Sequence, residues 1–332
     1  MLMESAQQDF WANETVAFLA LASMSNVGFW SLHKVAASGS GFKELLKTDS
    51  PDRLNKVMRN KLPDVDPIWS IYREKQWEKG LKLHRTLSSQ DIRLIFRDHP
   101  DFPAALKNIP DAPYWIFVQG DLNSLNQNAV SIVGTRDASQ DGGFLTKWVV
   151  SALVDTGVVT VSGLATGIDQ CAHKESIRFG IPTVAVLGTG ILNNYPAGSD
   201  VLRRSILEHG GAIVSEYLPN QSYSGENFVR RNRLQAALCH TLVPVEWKIK
   251  SGTAHTVEFA FKYGKRIANV YLPNTYDQRT ELAFAHTHRA AEAFQVPHDI
   301  KEFVDYAVLH PAGESATNSD PVEIQQGFDF KE

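Results

Sequence analysis

Short, mostly apolar segments alternate with amphipathic segments through the middle of the chain. The segments 130–133 and 158–161 are rich in β-branched residues and carry few polar side chains, which is typical of strands in a parallel sheet that is covered on both faces. The stretch between them has the residue spacing of a helix. The pattern therefore predicts a doubly wound α/β fold with a mostly parallel sheet. The same alternation predicts further strands at 114–118, 183–187, 212–215, 241–245 and 266–271, and further helices at 168–179, 201–209, 229–239 and 253–263.

The segments on either side of this region do not show the alternation of strands and helices. Residues 8–99 place apolar side chains at helical spacing, with a break at the turn residues 25–28, and the charged stretch 71–87 is most simply a solvated helix. Such a helical module either binds DNA or a partner, or serves packing and oligomerisation, and the sequence leaves both open. The expected organisation is a helical N-terminal domain of SAM-like or helix-hairpin type over 1–99, a sheet domain over 100–275, a helical extension over 276–312 with helices at 279–294 and 300–308, and a flexible acidic tail over 313–332.

Composition and charge narrow the class of protein. The 332 residues are 43% hydrophobic, which is enough to form sizeable hydrophobic cores. The formal net charge of −4 argues against non-specific binding to polyanions over the whole surface. Any nucleic-acid site must therefore be a local concentration of lysine and arginine. The two cysteines fit a reducing compartment, and the N-terminus shows neither a basic leader nor an apolar run of membrane-spanning length. We expect a cytoplasmic protein with no membrane association.

The loops that follow the predicted strands are expected on one edge of the sheet, because right-handed crossovers bring the carboxyl ends of parallel strands together. The first loop contains Gly134, Thr135 and Arg136, and the second begins with Ser162 and Gly163. Each leads into a helix whose free backbone N–H groups and positive dipole end attract phosphate. The planar guanidinium of Arg136 would bind two phosphate oxygens at once. These five residues are candidate phosphate-binding residues.

The sequence FVRRNR at 228–233 is the most informative charged group. Its arginines are expected at the start of a helix, where cations are unfavourable unless they meet an anion. One interpretation is a phosphate clamp in which Phe228 stacks on an unpaired base; the alternative is a solvated basic turn with Asn232 as a local cap. Basic and small residues of other loops would widen the same strip. The candidate residues are Phe228, Arg230, Arg231, Asn232 and Arg233, together with Lys174, Lys248, Lys250, Ser251, Gly252 and Thr253.

The sequence supports a cofactor site or a catalytic site less well than it supports phosphate binding. The Gly-Thr-Gly motif at 188–190 lacks the third glycine of a dinucleotide fingerprint, and no triphosphate-binding loop of the GxxxxGK(S/T) type occurs. Ser162, Asp169 and His173 would form a hydrolase site only with a nucleophile elbow, which the chain lacks; a capping Asp169 paired with a structural His173 is the better interpretation. Glu246 is either a general base or a partner for an arginine. No cofactor, no metal site and no enzymatic activity are expected.

The motifs taken together resemble the DNA-processing protein A family, also called DprA or Smf. The resemblance covers about half of the chain in unbroken order. Val229 stands where the family customarily has proline, and the segment beyond Pro273 does not look like the winged helix of many members. The segments that carry the resemblance are FPAALKNIPDAPYWIFVQGDL, SIVGTR, SGLATGIDQCAH, TVAVLGTGILNNYP, SEY, FVRRNR and VEWKIKSGTAHT.

The resemblance implies an extended Rossmann-like domain that binds single-stranded DNA without catalysing a reaction. It also implies cooperative binding, self-association as a homodimer or higher oligomer, and loading of the RecA recombinase during natural transformation or recombination. The pocket that it implies comprises Gly134, Arg136, Ser162, Gly163, Phe228, Arg231, Asn232 and Arg233.

Two hypotheses from other classes stay open at this point. The chain would be a regulatory companion, an antitoxin or a phage-defence component triggered by DNA, if a partner protein binds the front helices or the acidic tail. It would be a nucleotide-derivative sensor or hydrolase on a related Rossmann-like fold if the stretch SGTAHTVE with Glu258 acts as a phosphate loop. Stabilisation by nucleoside mono- or diphosphates, with no effect of oligonucleotides, would favour the latter.

Overall fold

The computed structural model describes residues 2–59, 61–62 and 69–308, so the expected acidic tail lies outside the described residues. A mixed sheet forms the centre of the described structure, with its strands in the order β1-β2-β6-β5-β4-β3-β7-β8-β9. The strands are β1 (Ile92–Phe96), β2 (Trp115–Gly120), β3 (Ala129–Val133), β4 (Val159–Ser162), β5 (Thr183–Val186), β6 (Ala212–Ser215), β7 (Thr241–Pro244), β8 (Arg266–Tyr271) and β9 (Glu292–Gln295).

Helices precede the sheet and connect its strands. The helices of the front are α1 (Leu2–Ala22), α2 (Phe29–Ala37), α3 (Phe42–Leu46), α4 (Asp52–Met58) and α5 (Trp69–Ser88). Those among or after the strands are α6 (Ala104–Lys107), α7 (Gln140–Ala152), α8 (Ile168–Arg178), α9 (Asp200–Glu208), α10 (Gly225–Leu238), α11 (Gly252–Lys262), α12 (Thr280–Arg289) and α13 (Ile300–Val308). None of the described helices combines the length and the apolar character that crossing a bilayer requires.

The sheet is wound in both directions from β3. Strands β4, β5 and β6 follow β3 outward on one side, and β7, β8 and β9 continue on the other side, all in parallel. Every residue of β3 is buried, as expected for a strand whose two faces are both covered by helices. The expectation of a doubly wound, mostly parallel α/β sheet is confirmed.

Two stretches expected to be helical are strands. Residues 92–96 form β1, which pairs antiparallel with β2 at one end of the sheet. The helix expected over 279–294 ends at Arg289, and Glu292–Gln295 form β9 beside β8. Both predictions were wrong for the same reason: strands this short are identified by their backbone pairing with a neighbour and show little periodicity of their own.

The helical front shares a hydrophobic core with the sheet. The ring centroid of Phe18 on α1 lies 4.8 Å from that of Trp115 on β2. Helix α5 packs closely on α1, since a β-carbon at Gly80 would lie 2.4 Å from the carbonyl oxygen of Val16. The charged segment within α5 is therefore solvated on one face only. The division into domains near residue 99 stays a prediction, and the packing joins the two regions it separates.

Candidate functional site

A large cavity opens at the carboxyl edge of the sheet, between β3 and β7. These strands flank the point at which the strand order reverses, which is where doubly wound folds bind their ligands. The cavity has a volume of about 1110 Å³ and is lined by residues 134–136 after β3 and residues 251–253 after β7. The structure thus brings together two of the loops that the sequence predicted for this edge.

Aromatic side chains line one side of this cavity. The ring centroid of Tyr195 lies 4.5 Å from that of Tyr223 and 5.3 Å from that of Phe228. Tyr223 is 57% exposed, and the exposed guanidinium of Arg136 lies 5.0 Å from the ring centroid of Phe228. We refer to these four residues as the rim platform. An exposed cation beside neighbouring aromatic rings suits a ligand that carries both phosphates and planar bases.

Gly188 makes room for the central ring of the platform. A β-carbon at position 188 would lie 2.4 Å from Cδ1 of Phe228, so a larger residue would displace the ring. A smaller cavity of about 160 Å³ lies beside this ring and is lined by Arg136, Gly163 and Thr189. Gly188, the first glycine of the motif at 188–190, therefore serves aromatic packing at the sheet edge.

The FVRRNR segment lies within a helix and not at its start. Helix α10 begins at Gly225, and Oγ of its N-cap Ser224 accepts the backbone N–H of Asn227 at 3.1 Å. The arginines consequently lie beyond the first turn, to which the effect of the helix dipole is confined. The expectation of cations at a helix start was wrong, because the capping serine lies upstream of the charged string.

Arg231 lies beneath the rim platform. Its side chain is buried, and Nη1 donates hydrogen bonds to the carbonyl oxygen of Gly163, at 2.7 Å, and to that of Val186. Its guanidinium also faces Asp169, whose carboxylate accepts the N–H of Gly163 at 3.1 Å. Burial raises the pKa of Asp169 to about 6, although the charge of Arg231 opposes the shift. Arg231 therefore joins the ends of β4 and β5 and supports the ring of Phe228, 5.9 Å from its guanidinium.

Arg230 and Arg233 share one buried carboxylate. Glu216 is 1% exposed, and its oxygens lie 2.9 Å from Nε of Arg230 and 2.5 Å from Nη2 of Arg233. Arg233 also pairs with Asp111 at 3.2 Å. The structure does not bring these two arginines to the large cavity, because buried ion pairs hold their guanidinium groups elsewhere. The prediction of an arginine trio facing the phosphates is corrected accordingly: Arg231 is the member of the trio that lines the cavity.

Ser162 lies beside Asp169, but His173 does not join them to form a hydrolase site. Oγ of Ser162 donates to the carbonyl oxygen of Ile132 at 2.6 Å, and Nδ1 of His173 lies 2.8 Å from Oγ1 of Thr183. Burial lowers the pKa of His173 to about 3, so its ring is neutral near pH 7. The expected pairing of Asp169 with His173 was wrong, since each side chain contacts a different partner.

Glu246 holds the loop that carries Arg136. Its Oε2 accepts the backbone N–H of Ser139 at 3.0 Å and the hydroxyl of Ser139 at 3.2 Å. Its carbonyl oxygen accepts the N–H of Thr135 at 2.7 Å. These contacts match neither of the roles expected for Glu246, a general base or an arginine partner. The glutamate instead joins the loop after β7 to the loop after β3.

The loop before α11 forms the opposite wall of the cavity. Oγ of Ser251 caps the helix by accepting the N–H of Ala254 at 3.3 Å. Nδ2 of Asn232 donates to the carbonyl oxygen of Gly252 at 3.0 Å, so Asn232 connects α10 to this wall and does not cap its own helix. Thr253 completes the wall.

A comparison with known proteins decides the family. The chain matches the family model of DNA recombination-mediator protein A over residues 93–305. The chain belongs to the DNA recombination-mediator protein A family. The resemblance to DprA and Smf proteins is thereby confirmed.

Curated relatives agree with this assignment. The chain is 34% identical to Protein Smf of Escherichia coli over 181 residues, which cover 54% of this chain and 48% of the relative. It is 35% identical to DNA processing protein DprA of Streptococcus pneumoniae over 166 residues, 50% of this chain and 58% of the relative. Protein Smf of Borreliella burgdorferi is 33% identical over 227 residues, 67% of this chain and 72% of the relative. The chain thus spans about half the length of the first two relatives.

Solved structures of the family share the fold. The X-ray structure of DprA from Streptococcus pneumoniae superposes with a TM-score of 0.63 and 24% identity, over 87% of this chain and 97% of that chain. DprA from Helicobacter pylori, a structure described for its single-stranded DNA binding mode, superposes with a TM-score of 0.57 and 24% identity, over 66% and 99%. The expected Rossmann-like architecture is confirmed.

The cavity of this family member carries charges of both signs. The sequence predicted a basic pocket, but acidic side chains also line the site and lower its positive potential. Lys248 is exposed at the cavity, whereas Lys174 and Lys250 lie outside its lining. The charged residues of the lining are Arg136, Arg231, Lys248 and Arg279 on the basic side, and Asp137, Asp141, Asp169, Glu246 and Glu281 on the acidic side.

Tyr195, Tyr223 and Arg279 line this cavity but are not among the residues predicted from the sequence. Tyr195 could have been predicted, since it lies in the loop after the predicted strand 183–187, which was expected at this edge of the sheet. Tyr223 lies in a polar loop without periodicity. Arg279 was assigned to a helix, yet it donates to the carbonyl oxygens of Val245 and Val270, both at 2.8 Å. It joins the ends of β7 and β8 as Arg231 joins those of β4 and β5.

Proposed function

We propose that this chain binds single-stranded DNA at the rim platform, as a non-catalytic protein of the DNA-processing, recombination-mediator type. The observation that carries the proposal is the exposed guanidinium of Arg136 over the ring of Phe228, beside the exposed ring of Tyr223. A strand offers a phosphate to the guanidinium and bases to the rings. The Helicobacter pylori relative, described with a single-stranded DNA binding mode, supports the choice of ligand.

The residues beneath the platform have a supporting role in this proposal. Arg231 and Gly163 hold the platform in position, and Asn232 links it to the wall formed by Ser251, Gly252 and Thr253. At the opposite wall, the N–H groups at the start of α11 and the ammonium of Lys248 are further hydrogen-bond donors for a phosphate. Arg136 and Lys248 are the exposed basic side chains of the lining.

The test is the salt dependence of oligonucleotide binding. Fluorescence anisotropy with a labelled oligothymidylate is expected to give an affinity that falls as salt rises, because phosphate contacts release counterions. Arg136→Ala is expected to weaken binding and to reduce the slope of log K against log salt by about 0.7, the value of one phosphate contact on a single strand. Its thermal stability should stay that of the wild type, since the guanidinium is exposed.

The matched control is Arg178→Ala. Arg178 is also well exposed, with 68% of its side chain accessible, but it lies at the last residue of α8, away from the carboxyl edge of the sheet. This variant should bind the oligonucleotide as the wild type does. Equal affinity and equal salt slope for Arg136→Ala and the wild type would overturn the proposal.

A second candidate function is a sensor of nucleotide derivatives. The large cavity at the switch point favours it, because a cavity of about 1110 Å³ has room for a nucleotide-sized ligand and its lining carries charges of both signs. Thermal shift with nucleoside mono- and diphosphates is the test. A large stabilisation by one of them, without any effect of oligonucleotides, would replace the first proposal.

Self-association and protein partners are separate proposals. A homodimer or higher oligomer and a RecA-type recombinase as partner stay predictions from the family resemblance. A toxin or defence protein as partner stays a prediction of the separate hypothesis of a regulatory companion. Light scattering of the purified chain with and without an oligonucleotide tests self-association. An unchanged monomer mass in both conditions would contradict self-association.

A further inference from the structure

A third cavity lies at the junction between the helical front and the sheet, outside the rim platform. It has a volume of about 550 Å³. One side is formed by the end of α1 and the beginning of α2, and the other by residues 217–221 after β6 and the first turns of α10. The proposed function makes no use of this cavity.

The walls of this junction cavity present flat surfaces. Trp30 is 50% exposed, and the guanidinium carbon of Arg230 lies 4.4 Å from the centroid of its ring. The ring of Phe29 lies behind them, 5.0 Å from the same guanidinium and 5.5 Å from the ring of Tyr217. A large exposed indole that is held in place from behind is a stacking surface for a planar ligand.

The polar groups of the junction cavity suit an uncharged heterocycle. Asn220, Gln221 and Asn227 line the cavity with carboxamides, which both donate and accept hydrogen bonds and so match the edges of nucleobases. Oε1 of Gln221 accepts the N–H of Leu218 and Nδ2 of Asn227 donates to the carbonyl oxygen of Ser222, both at 3.3 Å, so the other end of each carboxamide is the one considered for a ligand. The charged side chains of the lining are Glu226 and Arg230, one of each sign, and Arg230 is already ion-paired. Because the two charges cancel, the lining attracts a phosphate only weakly, whereas an uncharged ring is not affected.

We propose that the junction cavity binds a nucleobase, stacked on Trp30 and Arg230 and contacted at its edge by the carboxamides. Where the base belongs to a strand, the proposal rests on the proposed function. The start of α10 separates the two sites, with Asn227 lining the junction cavity and Phe228 lining the large one. A strand that passes around this helix end reaches both sites, whereas a free nucleotide reaches the junction cavity alone.

The test compares oligothymidylates of two lengths, about five and about twenty nucleotides, on the full chain. Trp30→Ala is expected to weaken binding of the longer strand about tenfold, the loss of one stacked base, and to leave the shorter strand unaffected. Trp30→Phe keeps a stacking face and should retain most of the affinity. Calorimetric titration with thymidine monophosphate forms a second arm, in which Trp30→Ala should abolish the heat of binding if free nucleotides are the source.

The control is Phe144→Ala, which removes a ring that is 52% exposed on α7. Two results together would overturn the inference. Trp30→Ala would bind the longer oligothymidylate with the same affinity as Phe144→Ala, and its heat of binding with thymidine monophosphate would equal that of the wild type. The proposed function fails separately, when Arg136→Ala leaves binding of both strand lengths unchanged. Loss of affinity in either arm on Trp30→Ala, with recovery in Trp30→Phe, supports the inference.

Discussion

The arginine of the loop after β3 and the buried arginines of α10 are placed in opposite environments. Arg136 lies on the loop after β3, exposed to solvent, with its guanidinium over the ring. Arg231 and Arg233 lie in α10 and are 4% and 2% exposed, bound to carbonyl oxygens and carboxylates of the interior. The same type of side chain is exposed to solvent in one region and serves as a structural brace in the other. Its hydrogen-bond donors are available to a ligand only where the fold leaves them unused.

The buried region is also where charge removal is expected to matter most for folding. Glu216 is ion-paired with both Arg230 and Arg233, so its loss removes the buried counter-charge that these two guanidinium groups share. The exposed region contributes little to stability, because solvent screens a surface charge. The predictions below test this contrast between buried and exposed charges.

The largest effect is expected for Glu216→Gln. The substitution keeps the size of the side chain but removes the charge that Arg230 and Arg233 share, and we expect it to lower the free energy of unfolding by about 3–5 kcal/mol. Urea denaturation measures the change. The matched control is Glu208→Gln at the exposed end of α9, which should change stability by less than about 0.5 kcal/mol. Equal effects of the two substitutions would contradict the role of Glu216.

A pH-dependent effect is expected for the carboxyl group beneath the platform. Asp169 has a folded-state pKa of about 6 against an ordinary value of 3.8, so the folded chain binds more protons than the unfolded chain between these values. Its contribution to the free energy of unfolding therefore falls as pH rises from about 4 to about 6, by up to about 3 kcal/mol. Asp169→Asn removes this titration. Urea denaturation across this range should show the wild type losing stability relative to the variant.

The comparison with a variant is needed because His173 titrates in the opposite sense. Its pKa is lowered to about 3 from 6.5, so the unfolded chain binds the extra proton and the contribution of His173 to stability rises between these values. This contribution is common to the wild type and Asp169→Asn, and it cancels in their difference. A difference that stays constant from pH 4 to pH 7 would show that Asp169 keeps its ordinary pKa.

The smallest effect is expected when a lysine that lines the large cavity is compared with a lysine outside its lining. Lys248→Ala is expected to reduce the salt slope of oligonucleotide binding by up to about 0.7, because the ammonium faces the large cavity. Lys174→Ala, on the exposed surface of α8, should change neither slope nor affinity. Anisotropy titrations at several salt concentrations measure both. A larger effect at Lys174 than at Lys248 would move the strand to another surface.

Much of the fold followed from local patterns. The β-branched runs identified the parallel strands β3 to β8, and the alternation with helices placed their loops on one edge, where Gly134, Thr135 and Arg136 indeed line a cavity. These features could be predicted because parallel strands are buried on both faces and crossovers have one hand. The family followed from motif order.

The environment of each arginine could not be obtained in the same way. All residues of 231–238 in α10 are buried, so the helix has no polar stripe from which to tell an inward side chain from an outward one. The partners of Arg233 are Glu216, 17 positions away, and Asp111, 122 positions away. Local periodicity carries no information about pairs at such separations.

The sequence by itself thus determined the parallel centre of the sheet, the edge at which its loops gather, and the family, since these depend on short-range patterns of hydrophobic and polar residues. Only the tertiary structure decided which cations are exposed at the cavity and which brace the strands. The reason is physical: the availability of a charge is set by burial and by the distance to its counter-charge, and both arise when remote segments pack together.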